Sequence, residues 1–395
     1  MEDIDVVQAY TELFAWCRQH DFVGLDPFDA LNSKLFQATP FRHSATARLL
    51  WTQALKRSPL NLRTIALIPP GQNPKGIALF ALATLADFRR TKSADAERES
   101  RTLLEQLISL RLETQHGVAW GYNFDWQSRV FFAPRGTPTI VPTAFAARAL
   151  VEGANDLGDD RYLKLACAAC DFIVADLPRS VESQSEVCFS YTPLAKTHIF
   201  NASLLAAETL ARITRHAKTE DYCDLAVRAT RYVINHQRQD GSWSYGADAN
   251  QLWVDNFHTA YLLSSLNAII GSCEAARTDE FRAALQRGYE YWQKSFFLAD
   301  GWAKYYHDTL YPVDTHAAAA AIVTLLDLIE LDNDALTLAG RIAIWSIQNL
   351  RDRQGFFYYQ RRRFYAVRTP FMRWTQAWML YALGRLLEAQ GRPSR

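Results

Sequence analysis

Two aspartate–histidine pairs stand at matching places in the chain, Asp255 with His258 in VDNFHTAYLL and Asp314 with His316 in PVDTHAAAAA. Each falls where a polar cluster opens a helix rich in Ala and Leu, so a carboxylate and an imidazole share the opening turn with its unpaired N–H groups. If side chains from the two repeats meet, they supply a general acid and a general base. Capping of the helix by the aspartate accounts for the same spacing without any chemistry, and the sequence leaves both readings open. Asp125, in WGYNFDWQSR, is a third candidate. Paired with Asp255 or Asp314 it would suit glycoside hydrolysis, where the separation of two carboxylates sets the stereochemical outcome. Tyr and His acting with Arg would suit β-elimination from a uronate, in which a base removes a proton beside a neutralised carboxylate. No helix carries the ligand spacing of an HExxH site, so no metal or cofactor is expected, although the two histidines and two aspartates together could also hold a metal ion.

The same loops hold aromatic and cationic candidates for binding: Trp120, Tyr122, Trp126, Arg129, Tyr245 and Tyr306. Sugar rings stack their apolar faces on aromatics, while their hydroxyls take directional hydrogen bonds. The run QRRRFYAVRTPFMRW adds Arg361, Arg363, Arg373 and Trp374, and guanidinium groups bind carboxylate, sulfate or phosphate in bidentate fashion. A solvated hairpin with a few salt bridges would carry the same charges. The expected ligand is a saccharide or sugar phosphate. Nucleic acid is not expected, because the net charge is +1 and no recognised binding motif occurs.

What positions these residues is a repeat. Buried-type helices begin near Pro138, Lys196, Val254, Pro312 and Pro370, about 58 residues apart. Each follows a turn such as QDGSWSYG, HGVAWGYNFDW, ADGWAKYYHD or RQGFFYYQRR, and each alternates with a helix charged along one face, as in SADAERESRTLLEQLISLRL. Strand patterning is confined to RVFFAP and FFYYQRRRFYAV, which predict short hairpins in loops. The expected fold is all-α: an α/α toroid, a six-fold double ring of helix pairs in a single domain over 1–395, with 1–60 as a degenerate capping repeat.

Six scattered cysteines suit a reducing compartment, and the Cys167/Cys170 pair lies inside a helical run that reads as core. The N-terminus lacks the basic start and apolar stretch of a signal peptide, and no uninterrupted apolar run reaches the length of a membrane span. A cytoplasmic location is expected.

Gln237, Asp240, Gly241 and Trp243 resemble the Gln-x-x-Asp-Gly-x-Trp motif of the triterpene cyclase and protein prenyltransferase superfamily, whose fold is an α/α toroid. That resemblance implies a structural task for Gln237 and Trp243, tying one repeat to the next. It does not extend to the chemistry: the Asp-x-Asp-Asp acid of the cyclases is missing, and DYC at 221–223 is only a fragment of a prenyltransferase zinc site. The strings DPFDALNS, HGVAWGYNFDWQSRVFFAPRGTPTIVPTAFAARAL, IFNASLLAAETLARI and VDNFHTAYLL resemble bacterial polysaccharide biosynthesis proteins of the VpsJ type. This wider resemblance implies a part in exopolysaccharide or capsule synthesis, with other enzymes of that synthesis as partners. Hydrolase, lyase and epimerase all remain open, beside a toroid that only binds saccharide or a partner, and a terpenoid-type cyclase as the weakest option.

Overall fold

The computed structural model describes residues 5–217 and 220–391. Among these residues fourteen α-helices follow one another: α1 (Val6–Gln19), α2 (Lys34–Gln37), α3 (Ala45–Arg57), α4 (Pro74–Thr91), α5 (Ala94–Ser109), α6 (Ile140–Leu157), α7 (Asp160–Ala175), α8 (Phe200–Ala217), α9 (Glu220–Asn235), α10 (Asn256–Ser272), α11 (Asp279–Phe296), α12 (Thr315–Asp327), α13 (Ala335–Leu350) and α14 (Trp378–Gln390). The even-numbered helices from α4 to α14 pack side by side in a closed ring, with α14 returning to α4. Helices α5, α7, α9, α11 and α13 lie outside it, so the protein is an α/α toroid as the repeat predicts. Helix α4 illustrates the inner type: thirteen consecutive residues from Pro74 to Ala86 are buried, which only a helix enclosed on both sides permits.

The ring closes through the N-terminus. Helix α1 packs against α13 and α14, in the place of the sixth outer helix. The 1–60 segment, expected to act as a cap, thus supplies an outer helix, while α3 and the loop before it run to the mouth of the ring and line its cavity. The other mouth is plugged by charge. There Arg89 bridges Glu152, Asp156 and Glu388, and Arg385 meets Asp327. Burial opposes ionisation of Glu152, but Arg148 and Arg89 hold its carboxyl down at about 2.

The turn motif is the joint between repeats. Gln237 donates from Nε2 to the carbonyls of Gly241 and Ala284 at 3.0 and 2.9 Å and accepts from Arg287 at 2.8 Å, while Trp243 donates from Nε1 to Val233 O at 2.9 Å. Gly241, Gly301 and Gly355 recur at φ of 91°, 95° and 94°, and each presses on a carbonyl of an outer helix, Arg287, Arg341 and Glu12 respectively. Glu12 lies on α1, so the last turn docks on the first helix by the contact that joins the other repeats. A Cβ at Gly241 would lie 2.4 Å from Arg287 O in a backbone region that disfavours side chains. Gly241→Ala is therefore expected to lower unfolding free energy by about 1–3 kcal/mol in urea denaturation.

A second stitch runs along the mouth. The first N–H groups of α6, α8, α10 and α12 belong to Ile140, Phe200, Asn256 and Thr315, and they donate to the carbonyls of Tyr191, Tyr245, Tyr305 and Tyr359 in the next loop. One tyrosine per repeat is thereby fixed above the ring. Short antiparallel pairs complete these loops: Leu112–Glu113 with Val118–Ala119, Trp126–Gln127 with Phe132–Ala133, Arg179–Glu182 with Val187–Phe189, and Gln360–Arg361 between Val313–Asp314 and Ala366–Val367.

Candidate active site

A cavity of about 340 Å³ opens at this mouth, walled by aromatics from several repeats. Asp255 caps α10: its Oδ1 accepts from His258 N at 3.0 Å, and its Oδ2 accepts from Trp253 Nε1 at 3.0 Å and lies 2.7 Å from His258 Nδ1. One carboxylate therefore both caps the helix and holds the imidazole at the cavity. The short contact orients the imidazole, with Nδ1 turned to the carboxylate and Nε2 on the far side of the ring. His258 lines the cavity, its ring 4.6 Å from that of Tyr245, which stacks on Trp253 at 4.5 Å.

The second pair is built differently. Asp314 caps α12 through His316 N and Ala317 N and also accepts from Gln360 Nε2 at 2.6 Å and Trp374 Nε1 at 3.2 Å. It is fully buried and outside the cavity lining, so it is a structural cap rather than the catalytic group its spacing suggested. Burial pushes its carboxyl up to about 6, against the pull of Gln360 and Lys56. A folded-state value above the unfolded one means that the native chain holds the extra proton between those limits. Stability from this group is therefore greatest in acid and falls as pH rises towards 6. Asp314→Asn removes the titration, so the variant is expected to gain on the parent by roughly 3 kcal/mol between about pH 4 and pH 7, read from paired urea melts.

His316 lines the cavity, and its imidazole has no aspartate partner among the described residues. Its Nε2 lies 2.7 Å from Tyr261 Oη, its Nδ1 is buried with no partner, and the ring of Trp374 stands perpendicular to it at 4.2 Å. Burial, with Lys75, Arg373, His258 and Lys56 nearby, pushes its pKa well down and keeps it neutral.

Of the other candidates, Tyr122, Trp126, Arg129, Tyr245, Tyr306, Arg373 and Trp374 line the same cavity. Arg129 lies 5.1 Å over the Trp253 ring. Arg373 is committed to Asp26, with Nε to Oδ2 at 2.6 Å and Nη2 to Oδ1 at 2.8 Å, so its guanidinium organises the wall instead of standing free for an anion. Besides Asp314, four candidates lie outside the lining. Trp120 is fully buried and donates to Leu107 O at 2.8 Å, repeating what Trp243 does for its own turn. Asp125 accepts from Arg135 N at 2.7 Å and belongs to the hairpin, outside the lining. Arg361 donates to Asn349, and Arg363 lies over Phe364; neither reaches the cavity.

Arg362 does reach it, bonded to Gln360 Oε1 at 3.0 Å. So do four groups that carried no sequence signal: Lys56, Arg57 and Phe28 from the N-terminal segment, and Lys75 from α4. Lys56 sits 4.1 Å over the Phe28 ring, and burial lowers its pKa to about 8. Among the described residues lining the cavity Asp255 is the acidic one, against Lys56, Arg57, Arg129, Arg362 and the paired Arg373, while burial presses Lys75 towards its neutral form. The field inside therefore favours an anion.

No family model matches the chain, and no curated protein does. Solved structures with the same fold include a cellobiose 2-epimerase from Bacillus thermoamylovorans, at TM-score 0.64 and 12% identity over 81% of this chain and 88% of that one. The GH76 α-mannanase of Bacteroides thetaiotaomicron follows at 0.62 and 11%, over 80% and 86%. An unsaturated glucuronyl hydrolase specific for heparin matches at 0.57 and 13%, again over 80% and 86%. At such identities the likeness is one of fold.

Proposed function

We propose that this protein is a saccharide-processing enzyme that removes a proton from carbon beside a carbonyl or carboxylate of an anionic sugar, as a lyase or epimerase does. The observation that carries this reading is the cavity itself: an imidazole oriented by Asp255, with Nε2 free, shares a space with several cations and no second carboxylate among the described lining residues. His258 Nε2 takes the proton, and Asp255 stabilises the imidazolium that forms. Lys56, Arg129 and Arg362 neutralise the sugar's anionic group, which lowers the energy of the carbanion built next to it. Trp126, on the same wall, offers an aromatic surface on which the ring can stack.

Hydrolysis is supported less well, because it needs two carboxylates flanking the scissile bond. Asp314 is spent on four donors, and Asp26 on Arg373. The fold is shared with an epimerase as well as with glycoside hydrolases, so it favours neither class alone. The VpsJ-type resemblance supports a place in exopolysaccharide or capsule synthesis, with a uronate-bearing or otherwise anionic oligosaccharide as substrate and the enzymes of that synthesis as partners.

The test is incubation with uronate-containing oligosaccharides in deuterated water. Deuterium entering the sugar carbon, or an unsaturated product, supports the reading. New reducing ends without either would establish a hydrolase, and binding with no chemical change would establish a non-catalytic binder.

A further inference from the structure

We propose that this protein docks on anionic lipid bilayers through an apolar and cationic face beside the cavity mouth, formed by α3, the loop after it and the hairpin around Phe364. Sequence sets the charge. Between Asp29 and Asp87 the chain carries seven lysines and arginines, and between Asp352 and Glu388 seven more, with no Asp or Glu in either stretch. Ring closure sets the two stretches side by side, so a chain of net charge +1 has one strongly cationic sector. Some of that charge is spent inside: Arg63 and Arg373 are buried on Asp29 and Asp26. Arg57, Arg361, Arg363 and Arg368 are exposed. Arg361 bonds the Asn349 amide, while Arg363 and Arg368 lie over the rings of Phe364 and Tyr358, so no carboxylate among the described residues claims these three charges.

Large apolar side chains stand among these cations. Leu50, Leu60, Ile65 and Phe364 are between 66% and 87% exposed, although they belong to segments that are otherwise well packed. Beneath them Ala30, Leu55, Ala66 and Ile68 form a small core of their own, with Trp51 and Leu62 against it, and Leu60 and Ile65 are what this packing leaves outside. Leu50, Ala54 and Arg57 recur along one exposed face of α3. Tyr365 Oη donates to Arg57 O at 3.2 Å, which brings Phe364 and the hairpin tip to the end of that helix, where the loop bearing Leu60 begins. Single exposed leucines need no explanation, but a group of them rimmed by unpaired cations marks an interaction surface. A bilayer satisfies both kinds of side chain at once: apolar tips enter the acyl boundary while guanidinium groups meet lipid phosphates. A soluble acidic polysaccharide would engage the arginines but offers Leu and Ile nothing to bury in, because sugars pack on flat rings. Leu49 and Arg57 belong to the cavity lining, so this face borders the rim through which a saccharide carried on a lipid would enter.

The test measures lipid binding alone, so it can fail separately from the proposed chemistry. The full chain is mixed with vesicles of phosphatidylcholine, either pure or with about one-third phosphatidylglycerol, and separated by flotation. The expected result is flotation with the anionic vesicles and not with the pure ones, weakening as salt is raised. Arg361→Gln with Arg363→Gln, neither of which reaches the cavity, should lower vesicle affinity about 30-fold, at about fivefold for each cation near the surface. Leu60→Ser with Phe364→Ser should lower it by roughly tenfold or more. All four side chains are exposed, so urea melts of both variants should match the parent. Wild-type protein that stays with the solution, or flotation that neither variant weakens, would overturn the proposal. So would binding to soluble polygalacturonate without binding to vesicles, which would make the face a glycan site. Self-association lost in Leu60→Ser with Phe364→Ser, again without vesicle binding, would overturn it in favour of a contact between two copies of the chain.

Discussion

His258→Gln is expected to lower deuterium exchange into a uronate oligosaccharide by about 10²–10⁴-fold, the range over which positioned acid–base groups act. The reason lies in what Gln keeps and what it lacks. Its amide can still donate to Asp255 Oδ2, so the capping carboxylate stays satisfied, but it has no nitrogen that takes a proton near neutral pH. The side chain is 19% exposed and Gln keeps the bond to Asp255, so the fold should survive, with a loss of about 1 kcal/mol, the usual cost of a single substitution. Asp255→Asn separates orientation from basicity. Its side-chain oxygen can still cap α10, but a neutral amide no longer stabilises the imidazolium and can turn its NH₂ towards Nδ1, which would move the imidazole proton to Nε2. Turnover should then fall with little change in substrate affinity. Activity within tenfold of wild type in His258→Gln would remove this imidazole from the mechanism.

Much of this site could be read from sequence because the repeat put it in register. Asp255, His258 and His316 were found as polar openings of inner helices, and in a toroid such openings converge on one mouth. The same logic, carried further, would have exposed one error. Trp120 occupies in its turn the place of Trp243 in QDGSW, and both indoles donate to a carbonyl of the preceding outer helix, on Leu107 and Val233. In the arginine run Gln360 is buried, Arg361 and Arg363 are exposed, and Arg362, the member omitted from the candidates, is half-buried between them and lines the cavity. Lys56, Lys75 and Asp26 are a different matter. They sit on a helix, at a helix start and in a loop with no shared spacing, and only closure of the ring brings the N-terminal segment onto the C-terminal repeat.

That closure is where the largest effect on stability is expected. Arg373→Met should lower the unfolding free energy by about 3–5 kcal/mol, because it leaves Asp26 buried without its counter-charge. Arg373 lies in a π-helical turn, Met372–Ala377, that opens α14, and it reaches across to a loop 347 residues earlier in the chain. Both side chains are nearly inaccessible, at 4% and 6%, so solvent screens the pair little. The neighbourhood multiplies the consequence: Asp26 Oδ1 also accepts from Phe28 N, Arg63 donates to Asp26 O, and Met372 N donates to Leu25 O. Loosening the loop frees Phe28, whose ring supports Lys56, and Lys56 is one of the cations proposed to hold the substrate's charge. Activity should therefore fall together with stability, although Arg373 touches no reacting atom. Asp26→Asn with Arg373→Met removes both charges at once, and a double-mutant cycle should show the pair destabilised by much less than the two single losses added together. Strict additivity, or a single-variant loss below about 1 kcal/mol, the scale of an exposed ion pair, would mean that the ring is held shut by the packing of α14 on α4 and α1 alone, and that the salt bridge merely sits on top of it.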